Sequence, residues 1–224
     1  MLLSLLQEKG SRLTKGSNDM KIHSLMLGNL ETNCYIWEDE KSKCGIVIDV
    51  PDNAAGIVAH CLSLGVKITD IILTHGHFDH ILDIKKLKEL TGAAFSVFEK
   101  TEQFLNDRNL NLCNYAGTDF SPINPDKLLH DNDIIDFHGN KIKVLSTPGH
   151  TEDSICLLCE DTLISGDTLF SKGIGRWDFP TGDLAKELNS IKSRLLILPD
   201  DTKVYPGHGP STTIGEERRE NPYI

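Results

Sequence analysis

The sequence predicts an α+β protein in which two sheet-forming halves, each with helices to cover it, build a single domain. Three observations carry that prediction. Apolar runs of strand length alternate with helical stretches through the first half. Strands resume near residue 133, and a second helical stretch opens at Asp183. No repeat or linker separates these parts, and 224 residues suffice to bury a sizeable core. Residues 1–19 read as a loosely ordered extension and residues 20–224 as the domain, with Met20 as an alternative start.

Taken in order, Ile22 to Leu27, Cys34 to Trp37 and Gly45 to Asp49 are short strands separated by turn residues, an opening meander. Asp52 or Asn53 caps a helix with Ile57, Val58, Cys61 and Leu62 on one face, ended by Gly65. Ile68 to Leu73 is a buried strand leading into a histidine-rich loop, and a helix is expected from near Ile81 to Gly92, with Ile84 and Leu87 facing inward. Ala93 to Phe98 returns as a strand. Residues 99–129 hold a helix around Thr101 to Asn106 and then Asn, Gly, Ser and Pro, which favour a long loop. Asp133 to Phe137 and Lys141 to Leu145 pair as a hairpin through His138-Gly139-Asn140, followed by strands at Ser154 to Leu158 and Thr162 to Ile164. Leu184, Leu188, Ile191 and Leu195 form one helical stripe behind the Asp183 cap, and Lys203 to Tyr205 is a last strand.

Charge and composition exclude some functions. A formal net charge of −10 with scattered basic residues argues against nucleic acid as a partner, and no run is long enough to cross a membrane. Six cysteines without framework spacing read as reduced thiols of a cytoplasmic protein. Basic residues in the first 19 positions leave organelle targeting as the alternative. Oligomeric state is left open.

Thr74-His-Gly-His-Phe-Asp-His80 places His75, His77, Asp79 and His80 within six positions, directly after Ile71-Ile72-Leu73. Packed imidazoles and a carboxylate need partners that such a crowded turn cannot supply by itself, so the stretch reads as a metal site. In extended chain, residues two apart project to one side, so His75 and His77 can hold the same ion with Gly76 slim between them. Asp79 and His80 fall where the chain turns into a helix, which aims them differently and makes two ions plausible. Imidazole and carboxylate without nearby thiolate suit zinc first, with iron or manganese as alternatives. His150, Asp167 and His208 each occupy the same kind of place, a loop just past an apolar strand.

With those motifs in hand, the chain resembles the metallo-β-lactamase superfamily, and within it the single-domain glyoxalase II-like branch. The resemblance rests on Thr74 to His80, Thr147-Pro-Gly-His-Thr151, Ser165-Gly-Asp-Thr-Leu-Phe170, Gly175-Arg-Trp-Asp178 and Tyr205-Pro-Gly-His-Gly209, and it covers nearly everything from Met20 to Ile224. It implies a four-layer αββα sandwich of two mixed sheets with helices outside. It also implies His75, His77 and His150 on a first metal, Asp79, His80 and His208 on a second, Asp167 bridging them, and Asp49 orienting a ligand histidine. His23, His60, His130 and His138 match nothing in the pattern and read as structural.

Two ions about 3.5–4 Å apart can share one water and lower its pKa toward roughly 7, so the expected nucleophile is a metal-bridging hydroxide held by Asp79. The expected substrate class is a small thioester of the hydroxyacyl-glutathione type, and the local charge of about +1 left by two divalent ions favours an anionic acyl group. Only Gly209 to Ile224 follows the last ligand, where glutathione-binding relatives usually carry a basic helical segment. Arg176 either contributes to substrate binding or pairs with Asp178, and Asp83, Glu152 and Asp153 add carboxylates that relatives tend to lack there. The alternative is a mononuclear iron persulfide dioxygenase of the same superfamily, to which the Gly-Arg-x-Asp-Phe stretch at 175–179 is also similar. Such relatives hold iron through two His and one Asp and usually depart from the Pro-Gly-His-Gly form.

Overall fold

A computed structural model describes residues 20–224 of the chain, and the extension and targeting expectations for residues 1–19 lie outside the described residues. The first half forms β1 (Met20–Leu27), β2 (Thr32–Asp39), β3 (Cys44–Ile48), β4 (Lys67–Ile72), β5 (Ala94–Phe98) and β6 (Lys127–Leu129), six strands adjacent in chain order. The second half forms β7 (Ile134–Phe137), β8 (Asn140–Ser146), β9 (Ile155–Cys159) and β10 (Thr162–Gly166), then the small hairpin β11 (Leu169–Phe170) and β12 (Gly173–Ile174), and finally β13 (Lys203–Pro206) and β14 (Thr212–Thr213). Its main sheet runs β14-β13-β10-β9-β8-β7. Both sheets are mixed: β3 to β6 pair parallel and β1 to β3 antiparallel, while β10 and β13 are the parallel pair in the second sheet.

Period-two alternation sets the layers. On β2, Cys34 and Ile36 face a cluster with Ile57, Ile84 and Leu87, whereas Tyr35 and Trp37 face Val144, Leu157 and Ile164 of the other sheet. Cys156 and Cys159 likewise fall in different clusters, so the C-x-x-C pair is split between two faces, and all six thiols are free. The outer face of the second sheet packs Leu163, Val204, Ile191, Leu195 and Ile214. Three apolar cores between four layers make the αββα sandwich. Each fully buried Ile or Leu contributes about 1.5–3 kcal/mol relative to exposure.

The helices are α1 (Ala54–Leu64), α2 (Phe78–Ile81), α3 (Ile84–Thr91), α4 (Thr101–Phe104), α5 (Cys113–Ala116), α6 (Leu184–Ser190) and α7 (Ile214–Glu220). Asn53 caps α1 by accepting from Gly56 N, and Asp183 caps α6 by accepting from Lys186 N. Four details differ from the sequence reading. A helical turn starts at Phe78, not near Ile81, because His77 takes the extended capping position and puts Asp79 in the first turn, where helix N–H groups favour a carboxylate. The supposed long loop at 99–129 includes β6, which extends the parallel sheet through Leu129. The last helix of the stripe widens into a π turn at Ile191–Leu195. Beyond the last ligand lies α7, capped by Thr213, whose Arg218 pairs with Asp200 on the protein's own surface.

The topology gathers strand ends. β8, β10 and β13 all run the same way, and their C-terminal ends meet the ends of β3 and β4 at one edge of the sandwich. Ile155 N donates to Thr74 O at 2.9 Å and Asn33 N to Gly207 O at 2.7 Å, tying the two sheets together there.

Candidate metal centre

Each polar residue singled out in the sequence follows the end of one of these strands, which brings seven side chains to one place. His75 Nε2 and His150 Nε2 stand 3.2 and 2.9 Å from His77 Nδ1. Ligand atoms about 2.0–2.1 Å from a tetrahedral zinc lie about 3.3 Å from one another, so this trio is spaced as three corners of such a site. A second trio is Asp79, His80 and His208, with Asp79 Oδ2 3.2 Å from His208 Nε2 and 3.7 Å from His80 Nε2. Asp167 sits between the two: its Oδ1 is 3.4 Å from His80 Nε2, and its Oδ2 is 3.7 Å from His150 Nε2 and 3.5 Å from His208 Nε2.

Close backbone approach explains two glycines. A Cβ on Gly76 would come within 2.4 Å of Phe104 Cβ, so only glycine lets the chain pass between the two histidines. A Cβ on Gly207 would lie 2.1 Å from Asp167 Oδ1 and 2.9 Å from His80 Cε1, inside the cluster itself.

Outer contacts aim the rings. Asp49, 1% exposed, accepts from Thr74 N and Thr74 Oγ1, and its Oδ2 lies 2.8 Å from His80 Nδ1. His150 Nδ1 lies 2.7 Å from the Arg176 carbonyl and His208 Nδ1 3.1 Å from the Leu30 carbonyl. Those acceptors fix the Nδ1–H tautomer and leave Nε2 with its lone pair inward. Glu187, fully buried, accepts from His150 N at 2.5 Å, and burial pushes its carboxyl up to about 8. The carbonyls of Leu30 and Arg176 carry no residue signature. Glu187 had one: it falls on the inward stripe with Leu184, Leu188 and Ile191.

The electrostatics suit cations. Burial, then the neighbouring imidazoles, hold His75 and His77 well below the usual histidine range, and burial lowers His150 against the pull of Asp167. Around the second trio burial opposes charge but loses. The carboxylates of Asp167, Asp49 and Asp79 push His80 up to about 10, and Asp79 and Asp167 raise His208. For Asp79, burial is likewise outweighed by His80 and His208, which hold its carboxyl well below the ordinary range. His77 Nε2, His80 Nε2 and Asp167 Oδ1 are buried with no hydrogen-bond partner. The first trio of imidazoles, held neutral with Nε2 of His75 and His150 and Nδ1 of His77 turned to one another, and the second, where carboxylates demand positive charge, fit divalent metal ions.

The cluster forms the floor of a pocket of about 550 Å³. Arg176 lies at its rim, where its Nε and Nη2 donate to Asp178 Oδ1 and Oδ2, both at 2.8 Å. Of the two sequence-based readings of Arg176, the ion pair is the one present. Two of the four histidines outside the pattern have acidic partners away from the cluster: His23 Nε2 lies 2.6 Å from Glu38 across β1 and β2, and His130 pairs with Glu99.

Comparison with known proteins comes to the same fold. The family described as the Metallo-beta-lactamase superfamily matches residues 62–208. Hydroxyacylglutathione hydrolase GloC of Haemophilus influenzae is 32% identical over 210 residues, covering 92% of this chain and 98% of the relative. Among solved structures, BLEG-1 B3 metallo-beta-lactamase superposes with a TM-score of 0.86 at 31% identity, over 91% of this chain and 99% of that one. TTHA1623 in a di-iron-bound form gives 0.81 at 31% identity, over 90% and 100%. ETHE1 from Myxococcus xanthus gives 0.77 at 29% identity, over 91% and 84%.

Proposed function

The chain belongs to the metallo-beta-lactamase superfamily, and from that premise we propose that it is a binuclear metal-dependent hydrolase of small thioesters, the bond type cleaved by a hydroxyacylglutathione hydrolase, whichever thiol its own substrate carries. The observation that carries this reading is the second trio: Asp79, His80 and His208 converge beside Asp167, next to the three-histidine site. His75, His77 and His150 would hold one cation and Asp79, His80 and His208 the other, with Asp167 shared. Zinc suits this donor set, and iron or manganese would also be accepted. Cations so held would acidify a water molecule toward neutral pH and polarise a carbonyl oxygen.

The chain's own groups do the rest. Asp79 lines the pocket, and its carboxylate accepts a hydrogen bond from the attacking water, turning the water's lone pair toward the thioester carbonyl carbon. The Thr32 hydroxyl, 3.4 Å from Asp79 Oδ2, donates to the same oxygen that faces His208 and helps to hold that carboxylate in place. A thioester seated against the apolar walls would cover them and displace water from the cluster. In the net reaction the water oxygen forms the new C–O bond and the C–S bond breaks. One water proton ends on the departing thiol and the other is released as the carboxylic acid ionises. No Ser or Cys nucleophile is required.

The test is metal content by mass spectrometry together with a thioester screen of the same sample. Two equivalents of metal per chain and hydrolysis of S-lactoyl-glutathione or another small thioester, both lost in His77→Ala, are expected. Protein carrying two ions that cleaves no thioester would remove the substrate class. The second reading, a mononuclear iron persulfide dioxygenase, is favoured by the likeness to ETHE1 and by the stretch 175–179. It leaves Asp79 and His208 without a metal to hold. Oxygen consumption by iron-loaded protein given glutathione persulfide would establish it.

A further inference from the structure

Resting on the thioester reading, we infer that this pocket selects thioesters whose acyl group is apolar and whose thiol carries no charge, and discriminates against glutathione conjugates. Above the metal-ligand floor the walls are Leu30, Phe78, Leu112, Tyr115, Phe170 and Phe179. Leu30 and Tyr115 are 53% and 80% exposed, so apolar surface is presented at the mouth, where a substrate covers it. The anionic acyl group expected from the ions' charge alone finds no partner on these walls.

Among the described lining residues Arg176 is the one Lys or Arg, and it is already engaged. Its two donors meet both oxygens of Asp178, two residues away, and its guanidinium lies 3.9 Å over the Phe179 ring. Asp178 on the same short segment is always within reach and already offsets the guanidinium charge, so Arg176 offers a substrate carboxylate only its remaining Nη donors and a weakened attraction. The adjoining cleft, about 330 Å³, shares Leu30, Phe78 and Asp79 with the pocket. Among the described residues it adds the carboxylate of Asp52 and the uncharged polar side chains of Asn29, Thr32 and Thr118, and no Lys or Arg. A thiol half extending from the metals therefore passes either apolar walls or a cleft whose one further charge is negative. The two carboxylates of glutathione, only one of which its own ammonium offsets, find no free cation on either path.

The experiment uses the full chain reconstituted with metal. The hexanoyl thioester of N-acetylcysteamine is compared with S-hexanoyl-glutathione, which shares the acyl group, and acetyl, butanoyl and hexanoyl thioesters of N-acetylcysteamine form a series. The uncharged hexanoyl ester is expected to show at least tenfold higher kcat/KM, and the series to rise by about fourfold per buried methylene. Asp178→Asn, which frees Arg176, is expected to raise kcat/KM for the glutathione conjugate severalfold. The matching uncleavable thioethers, titrated by calorimetry, should bind in the same order. An equal or better glutathione conjugate in kinetics or calorimetry would overturn the inference, as would a flat acyl series. Should no thioester turn over while the thioethers keep their order, the reaction would be refuted and the pocket's preference upheld.

Discussion

Replacing Asp49 with Ala tests whether the metal cluster is held from behind. Asp49 is buried, follows β3 at φ 61°, and accepts from Thr74 N and Thr74 Oγ1 while pairing with His80 Nδ1. Thr74 Oγ1 has a second neighbour, His75 Nδ1 at 3.2 Å, and can turn to it. Thr74 N and His80 Nδ1 have no such recourse, and each buried donor left unpaired costs about 1–3 kcal/mol. Alanine in the left-handed region adds about 1 kcal/mol of backbone strain, which asparagine largely avoids. The expected loss for Asp49→Ala is therefore roughly 3–7 kcal/mol, a large share of the 5–15 kcal/mol that typically separates folded from unfolded. Asp49→Asn keeps one acceptor and the backbone conformation and should lose about half as much. Because His80 would also lose its orientation, metal affinity should fall about 10–100-fold although no ligand atom has been touched. Urea unfolding of metal-free protein reads the first quantity, and competition with a chromogenic chelator reads the second. If Asp49→Ala kept both the unfolding midpoint and the metal affinity, the account of how the ligands are aimed would fail.

Asp153 sets a pH dependence: it is fully buried, and burial outweighs nearby polar groups to push its carboxyl from 3.8 up to about 6. The native state thus holds that proton more tightly than the unfolded chain does, so the contribution of Asp153 to stability is fully present below about pH 4 and is lost as pH rises through 6, a loss of about 3 kcal/mol by pH 7. Asp153→Asn should recover most of that loss at pH 7 and flatten the slope in urea midpoints between pH 4 and 6; an unchanged slope would count against it. Gly207→Ala should keep the fold but lose metal, since the new Cβ would lie 2.1 Å from Asp167 Oδ1; a far-ultraviolet spectrum and metal content would check it, and full metal loading would contradict it. Stripping metal with a chelator should lower stability by about 2.7 kcal/mol for each ion that had been held at one hundred times its dissociation constant. Calorimetric melting with and without zinc would show it, and coincident transitions would mean that the cluster does not bind the ion.

How much of this was legible before the coordinates depends on the kind of signal each residue carries. His75 to His80 is a local motif, readable because four donors crowd one loop after an apolar strand. His150, Asp167 and His208 carry no such local crowding; what marks them is that each stands just past a strand of the second half. The layers were readable from alternation, since Tyr35 and Trp37 part from Cys34 and Ile36 by period two alone. The short pieces were not: β6, α5 and α7 are three to seven residues long and are fixed by what they pack against, as Leu129 is by the core between the sheets. Backbone acceptors such as Leu30 O and Arg176 O are invisible in any sequence, because every residue has a carbonyl.

His75, His77, Asp79 and His80 belong to the first sheet's edge, whereas His150, Asp167 and His208 belong to the second. Neither half can complete either site, since His150 is the third member of one trio and His208 of the other. Metal affinity therefore includes the free energy of holding the sheets in register, and contacts such as Asn33 N to Gly207 O at 2.7 Å, far from any reacting atom, contribute to it. Conversely, bound cations should stiffen the edge where the pocket opens, so that the walls which choose the substrate are positioned only when the groups that cleave it are in place.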